Sequence, residues 1–145
     1  MVWAERIPLA MGVVACALLA CASSPQRGSF VPLSRLQRSA LAADATQRLQ
    51  ASYPAGSYAL QWQRAIDDGF GRAMATALQQ AGYRLWGPGR GRLDARSLDY
   101  AVDQLKGTPF VRLTLYVVGR RFSRAYALTA EGVQAAGPWS DSGSP

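Results

Sequence analysis

Two segments of alternating residues, 111–117 and 121–128, constrain the fold more than any other feature of this sequence. The first places apolar side chains at every second position: Val111, Leu113, Leu115 and Val117. The second has the same alternation, although one of its four positions is charged: Phe122, Arg124, Tyr126 and Leu128. Alternation with a period of two is typical of strands that bury one face. Because Gly119-Arg120 between them has the composition of a tight turn, we predict a β-hairpin here.

Three shorter strands are predicted upstream, at residues 57–63, 83–86 and 98–103. The first and third place apolar or aromatic residues at every second position: Tyr58, Leu60, Trp62, Leu98, Tyr100 and Val102. Asp99 and Asp103 occupy the opposite side of the third strand. We expect them to face solvent as solubilising charges, and not to act as a catalytic pair.

Residues 34–52 have the pattern of a helix. Ser34 and Gln37 have the spacing of a capping box, which predicts where the helix begins. The predicted buried face is rich in alanine and broad: Leu36, Leu41, Ala45 and Leu49. Pro54 ends the helix, because the residue before a proline avoids the helical conformation.

A second helix is predicted to begin at Asp67 or Asp68 and to extend to Ala81. Its apolar residues form a single stripe: Phe70, Met74, Ala77, Leu78 and Ala81. The two aspartates are better explained as helix cap and dipole partner than as a carboxylate pair for catalysis. Gly82 stands where a left-handed residue commonly ends a helix. We expect the stripe to share one core with the hairpin.

The order of these elements predicts an α+β fold, since the strands cluster after the second helix. We expect a small two-layer sandwich in which an antiparallel or mixed sheet of about five strands carries helices on one face. The domain spans residues 34–132. Residues 133–145, with two prolines and two glycines, are expected to form an extended and frayed tail. Within them, residues 133–140 could add a strand to a sheet edge.

An apolar run at residues 7–24 ends in a cysteine and small polar residues. Arg6 precedes the run, and its apolar part is shorter than the roughly 20 residues of a membrane-spanning helix, so we interpret it as a signal peptide. The sequence LLAC at residues 18–21 resembles a bacterial lipobox. That resemblance implies that residues 1–20 are removed and that the Cys21 sulfur and the new amine are acylated. A thiolate is a suitable nucleophile for such acylation.

Three alternatives to lipidation at Cys21 stay open. VVAC at residues 13–16 has the same pattern, although cleavage before Cys16 would leave a short apolar segment. An ordinary signal peptide or a retained anchor helix would make both cysteines incidental.

Lipidation of Cys21 would fix the chain to a membrane through several acyl chains, as stable anchoring requires. Ala22 follows the cysteine. An aspartate at this position would be a signal for retention in the inner membrane, so its absence predicts an outer-membrane lipoprotein that faces the periplasm. Residues 21–33 contain serine, glycine and two prolines and are predicted to form a flexible tether.

The composition argues against most kinds of catalysis. The sequence contains no histidine, which is the commonest general base and metal ligand. If Cys21 is acylated and Cys16 is removed, no free thiol is left either. We therefore predict no enzyme activity, no metal site and no cofactor. The net charge is +7, but the arginines are largely dispersed, so we expect no direct binding of nucleic acid.

Five short segments resemble, in their order and spacing, the TrbH family of conjugal transfer lipoproteins. They are DGFG at 68–71, AGY at 81–83, YAVD at 100–103, FSRAY at 122–126 and GPWS at 137–140. The resemblance covers residues 15–140 and includes the lipobox. It implies a component of the mating-pair formation apparatus of a P-type type IV secretion system, without enzyme activity or cofactor.

A component of this kind acts through contacts with other envelope subunits, and a homo-oligomer within the assembly is compatible with the sequence. Arginine and tryptophan supply many interface hot spots, so the candidate contact residues are Arg120, Arg121, Arg124 and Trp139. Arg124 is expected at a sheet edge, paired with an acid such as Asp103, or with its stem packed and its guanidinium in solvent. Two other functions stay open: a periplasmic lipoprotein that binds peptidoglycan or lipid, and a pilot-type lipoprotein that stabilises an outer-membrane ring.

Overall fold

The computed structural model describes residues 26–89 and 92–143, which form two helices and one sheet of eight strands. The helices are α1 (Arg35–Ser52) and α2 (Gly69–Gln80). The strands are β1 (Gly28–Ser29), β2 (Ala59–Trp62), β3 (Leu85–Trp86), β4 (Ala95–Gln104), β5 (Phe110–Val117), β6 (Arg120–Thr129), β7 (Gly132–Ala135) and β8 (Ser140–Ser142). The predicted signal peptide, Cys16 and Cys21 lie outside the described residues.

The sheet is open and mixed, which confirms the predicted α+β class. Its main strand order is β3-β2-β4-β5-β6-β7. The strands from β4 to β7 are antiparallel neighbours, whereas β2 pairs in parallel with both β3 and β4. Two further short strands extend the sheet, β1 in parallel with β4 and β8 antiparallel to β6. The sheet exceeds the predicted five strands because β1, β7 and β8 join it.

One hydrophobic core lies between the two helices and the sheet. From β5 it takes four fully buried residues: Val111, Leu113, Leu115 and Val117. Phe70, Met74 and Leu78 of α2 belong to the same core, which confirms that the second helix and the hairpin share one core. The prediction that Leu36 is buried is wrong: it is 58% exposed, because the buried face of α1 begins at Leu41.

The predicted ends of both helices are confirmed. Ser34 accepts a hydrogen bond from the Gln37 amide at 3.1 Å, and the Gln37 side chain accepts one from the Ser34 amide at 2.9 Å, which completes the capping box. Asp68 is the cap of α2. Gly82 follows α2 with a φ of +93°, a conformation that glycine adopts without steric cost.

The β5–β6 turn lies one residue earlier than predicted. Val117 and Arg120 are paired across the hairpin, so its two-residue loop is Val118-Gly119 and not Gly119-Arg120. Both loop residues have positive φ, 40° for Val118 and 75° for Gly119. A two-residue hairpin loop commonly needs positive φ at both positions, which glycine supplies easily and a β-branched residue does not.

Both ends of the described chain are attached to the sheet. The C-terminal segment is extended as predicted, but it is not frayed, because β7 and β8 pair with β6. At the other end, Gly28 and Ser29 pair with β4, and the Phe30 amide donates a hydrogen bond to the Val102 carbonyl at 2.9 Å. Part of the predicted tether is therefore bound to the domain. Among the described residues, no helix has the length and apolarity needed to cross a membrane.

Candidate functional site

Asp68 joins the N-terminal segment, α2 and β4. Its Oδ1 accepts a hydrogen bond from the Gly71 amide at 2.7 Å, which caps the helix. Its Oδ2 accepts one from the Tyr100 hydroxyl at 2.6 Å and one from the Ser29 amide at 3.3 Å. One carboxylate therefore holds together a helix start, a strand and the segment that leads to the predicted lipid anchor.

Tyr100 is fully buried beside Asp68. Its ring packs edge-to-face against Phe70, with centroids 4.9 Å apart, and the Arg64 guanidinium lies 4.8 Å from its centroid. Burial, and then the hydrogen bond to Asp68, raise the pKa of the Tyr100 hydroxyl above its usual value. Tyr100 thus stays a neutral hydrogen-bond donor, and the segments 68–71 and 100–103 meet as one structural unit.

Asp99 does not face solvent as predicted. It is 2% exposed, and its Oδ1 accepts a hydrogen bond from Arg64 Nε at 2.9 Å. The prediction failed because the Arg64 side chain lies over this part of the sheet. Asp103, on the same side of β4, is partly exposed and pairs with Arg112 at 2.6 Å. Both aspartates therefore have arginine partners.

Arg124 connects β6 to α1. Its Nη1 lies 3.0 Å from Asp44 Oδ2, and its Nε donates to the Gly137 carbonyl at 2.7 Å. The Tyr126 hydroxyl donates to the same Asp44 oxygen at 2.5 Å. The prediction that Arg124 pairs with an acid is confirmed, but the acid is Asp44 and not Asp103. Asp103 projects from the opposite face of the sheet and pairs with Arg112. The sheet-edge alternative is wrong, since β6 lies between β5 and β7.

Trp139 packs on the same cluster. Its ring is edge-to-face with that of Tyr126, with centroids 6.4 Å apart, and the Arg124 guanidinium lies 6.0 Å from it. The segments 122–126 and 137–140 therefore fasten the C-terminal strands to α1. Both Arg124 and Trp139 have partners within the chain, and their role in contacts with other proteins stays a prediction.

Arg120 and Arg121, at the start of β6, hold β8 in place. Arg120 forms an ion pair with Asp141. Arg121 Nε donates to the Ser142 hydroxyl at 3.2 Å, while Arg121 itself stays exposed. These two arginines therefore have structural partners on β8 and still lie at the surface beside the β5–β6 turn.

Three residues that sequence reasoning missed lie next to these arginines. The Arg27 guanidinium lies 3.1 Å from the centroid of the Tyr116 ring, and the Val118 side chain is 52% exposed. Together they line a shallow cavity of about 380 Å³ with Arg120 and Arg121. We call this set of five residues the turn surface. The sequence indicated Arg120 and Arg121 and the turn at Gly119, but not Arg27, which lies in a segment without periodicity.

The chemistry of these clusters is that of structural contacts. Asp67 and Asp68 do not form a carboxylate pair, since the Asp67 side chain is 86% exposed and Asp68 is bonded to its neighbours. Within the described residues, no group of three or more Cys, Asp or Glu side chains is placed to hold a metal ion. What the turn surface presents to solvent is guanidinium groups and an apolar side chain, which can bind an acidic or aromatic surface.

A family model described as conjugal transfer protein TrbH matches residues 22–142. The match includes every helix and strand of the structure and both clusters around Asp68 and Asp44. No curated protein and no solved structure is significantly similar to the chain.

Proposed function

The chain belongs to the TrbH family of conjugal transfer proteins, and from this membership we propose that it is a structural, non-catalytic component of a conjugative type IV secretion apparatus. In this proposal the mature protein is held in the outer membrane by acyl chains on Cys21, and its domain faces the periplasm. Its partners are other envelope subunits of the apparatus. The observation that carries the proposal is the family match over nearly the whole predicted mature chain.

The packing of the domain supports a structural role. Two partly buried tyrosine–aspartate hydrogen bonds, from Tyr100 to Asp68 and from Tyr126 to Asp44, join β4 to the start of α2 and β6 to α1. The residues of the family-like segments are thus used to build one compact unit. A compact unit on a lipid anchor is suited to hold a position in an assembly, and acylation with more than one chain makes such anchoring stable.

The turn surface is the proposed contact with a neighbouring subunit. Val118 combines an exposed apolar side chain with a φ of 40°, which is sterically unfavourable for a β-branched residue. Unfavourable backbone conformations of this kind cluster at functional sites. The exposed Arg121 lies beside it, and arginine is enriched among the residues that dominate interface energies.

Co-purification from donor cells tests the contact. Arg121→Glu in the full lipoprotein should reduce the recovery of other conjugation subunits from detergent-solubilised envelopes, because the reversed charge opposes an acidic partner surface. Lys106→Glu, an equal charge change in an exposed turn elsewhere, is the matched control and should leave recovery unchanged. Equal recovery with both variants would rule out the turn surface as the contact.

Metabolic labelling with radioactive palmitate tests the anchor. Cys21→Ser should abolish incorporation of label and release the protein from the outer-membrane fraction. Cys16→Ser is the control and should keep the label. Undiminished labelling of Cys21→Ser would contradict acylation of Cys21 and move the site to Cys16, and an unlabelled wild-type protein would refute lipidation.

A further inference from the structure

A groove between α1 and α2 lies apart from the turn surface that the proposed contact uses. It consists of two adjoining cavities of about 570 and 660 Å³, and both are lined by Ala43, Ala77 and Gln80. We call it the helix groove. Its lining is dominated by small side chains from both helices: Ala40, Ala42, Ala43, Ala73, Thr76, Ala77 and Ala81. Small residues allow the backbone of another helix to approach closely.

One end of the helix groove is strongly basic. Arg35 and Arg38 from the start of α1 and Arg72 from the start of α2 line it. None of the three forms an ion pair with a carboxylate of the described residues. Because both helices begin at this end, their amide dipoles also favour negative charge there.

Arg38 is held at this end by the shape of α2. A β-carbon at Gly69 would lie 1.9 Å from Arg38 Nη1, so the absence of a side chain at position 69 is what lets the guanidinium lie against the helix. Arg72 is positioned by a hydrogen bond from its Nη1 to the Asp67 carbonyl at 3.1 Å. The positive charges are therefore placed by the fold and are not balanced within it.

The other end of the helix groove contains a buried hydroxyl without a partner. Thr46 lines this end, it is only 7% exposed, and its Oγ1 has no hydrogen-bond partner among the described residues. A threonine in a helix often donates to the carbonyl four residues earlier, and this one does not. An unpaired buried polar group is costly unless a ligand satisfies it.

We propose that the helix groove binds an amphipathic helix of another subunit of the conjugation apparatus. That helix carries acidic residues at the end that meets the three arginines. It carries small or apolar residues where it lies on the alanines of the groove lining, which we call the alanine floor. This inference rests on the proposed function and adds a second contact of stated chemistry. The unbalanced arginines supply the charge complementarity, and Thr46 supplies a hydrogen-bonding group at the far end.

A helix fits these observations better than an anionic lipid headgroup does. A phosphate group would bind at Arg35, Arg38 and Arg72 alone and would use neither the alanine floor nor Thr46. An acidic helix uses the full length of the groove, with carboxylates on the guanidinium groups and side chains packed between α1 and α2.

The test uses the full lipoprotein in donor cells from which the gene has been deleted. Arg38→Glu/Arg72→Glu should lower the conjugal transfer frequency by about tenfold or more relative to wild type, because two like-charge contacts replace two attractive ones. The control Arg84→Glu/Lys106→Glu makes the same change in net charge at exposed positions outside the groove and should transfer normally. Equal thermal stability of the two variants shows that the fold is not the cause.

The occupant is identified in the same cells by photo-crosslinking from p-benzoylphenylalanine placed at Ala43. The inference requires a crosslink to an acidic helical segment of a conjugation subunit, and this crosslink must be lost in Arg38→Glu/Arg72→Glu. A crosslink to lipid only, no crosslink, or normal transfer by the groove variant would overturn it. If the deletion strain itself transfers normally, it is the proposed function that fails.

Discussion

Gly71 lies directly against Tyr100: a β-carbon at position 71 would come within 2.2 Å of the Tyr100 hydroxyl oxygen. The same β-carbon would lie 2.5 Å from Cγ2 of Ile66. The Tyr100 oxygen cannot move away freely, because it is bonded to Asp68 in a buried site. A glycine in the first turn of α2 is therefore what allows this helix and β4 to share one carboxylate.

The first prediction contrasts two glycines of the same segment. Gly71→Ala should lower the free energy of unfolding by about 2–3 kcal/mol, because the added methyl displaces a buried, hydrogen-bonded ring. Gly69→Ala should cost less than about 1 kcal/mol, since it displaces only the flexible end of Arg38. Urea denaturation of the mature chain without its lipid measures both. Equal losses would show that the Gly71–Tyr100 contact is not tight.

The second prediction concerns the pair Arg124–Asp44, whose side chains are 24% and 23% exposed. A double-mutant cycle with Arg124→Ala and Asp44→Asn should give a coupling energy of about 1 kcal/mol, as expected for a partly buried ion pair. Asparagine is chosen because it keeps an oxygen that the Tyr126 hydroxyl can use. A coupling energy indistinguishable from zero in urea denaturation would refute a stabilising pair.

The third prediction follows from the conformation of Val118. Val118→Asn should raise the free energy of unfolding by about 1 kcal/mol, because asparagine tolerates positive φ and Asn-Gly suits this hairpin loop. The same variant should lower the conjugal transfer frequency, since it removes an exposed apolar side chain from the turn surface. A variant that is no more stable than wild type would show that Val118 is unstrained.

The fourth prediction concerns alkaline pH. Burial raises the pKa of Tyr83 to about 12, and burial together with a carboxylate raises the pKa values of Tyr100 and Tyr126 further. Above pH 10 these tyrosines lose protons in the unfolded chain but keep them in the folded one. The free energy of unfolding should therefore fall from about pH 10 upward, by up to about 1.4 kcal/mol per pH unit for each tyrosine.

Tyr83 offers the cleanest check of that dependence. Burial alone raises its pKa, and its hydroxyl donates to the Tyr53 carbonyl at 2.5 Å. Tyr83→Phe should lower stability at neutral pH by removing this bond, yet it should make the decline between pH 10 and 12 less steep. Urea denaturation at several pH values measures both effects. An unchanged slope would show that Tyr83 titrates alike in the folded and unfolded chain.

The parts of the fold that repeat a local pattern were predictable from the sequence. The stripes of β5, β6 and α2 and the caps at Ser34 and Asp68 depend on neighbours within a few positions, and each was placed correctly. The burial of Leu36 was predicted wrongly, because the position at which α1 first contacts the sheet depends on how the helix and sheet layers pack.

The remaining errors concern partners that are distant in sequence. Asp44 lies 80 positions from Arg124, and no periodicity connects them. The strands β1 and β8 have two and three residues, too few for a pattern to show, and they form by pairing with β4 and β6. Strand β7 agrees with the prediction that residues 133–140 could add a strand to the sheet. The β5–β6 turn was predicted one residue too late because a glycine can occupy either position of a two-residue loop. In the structure Gly119 takes the second position, and the first is occupied by Val118, a β-branched residue that is unfavourable at positive φ.

The most direct test of the account is the conjugal transfer frequency of donors that carry a clean deletion of this gene. The account predicts that transfer falls to the background of the assay and that the wild-type chain supplied on a second plasmid restores it. Undiminished transfer from the deletion strain would contradict the central claim that this protein is a structural component of the conjugation apparatus.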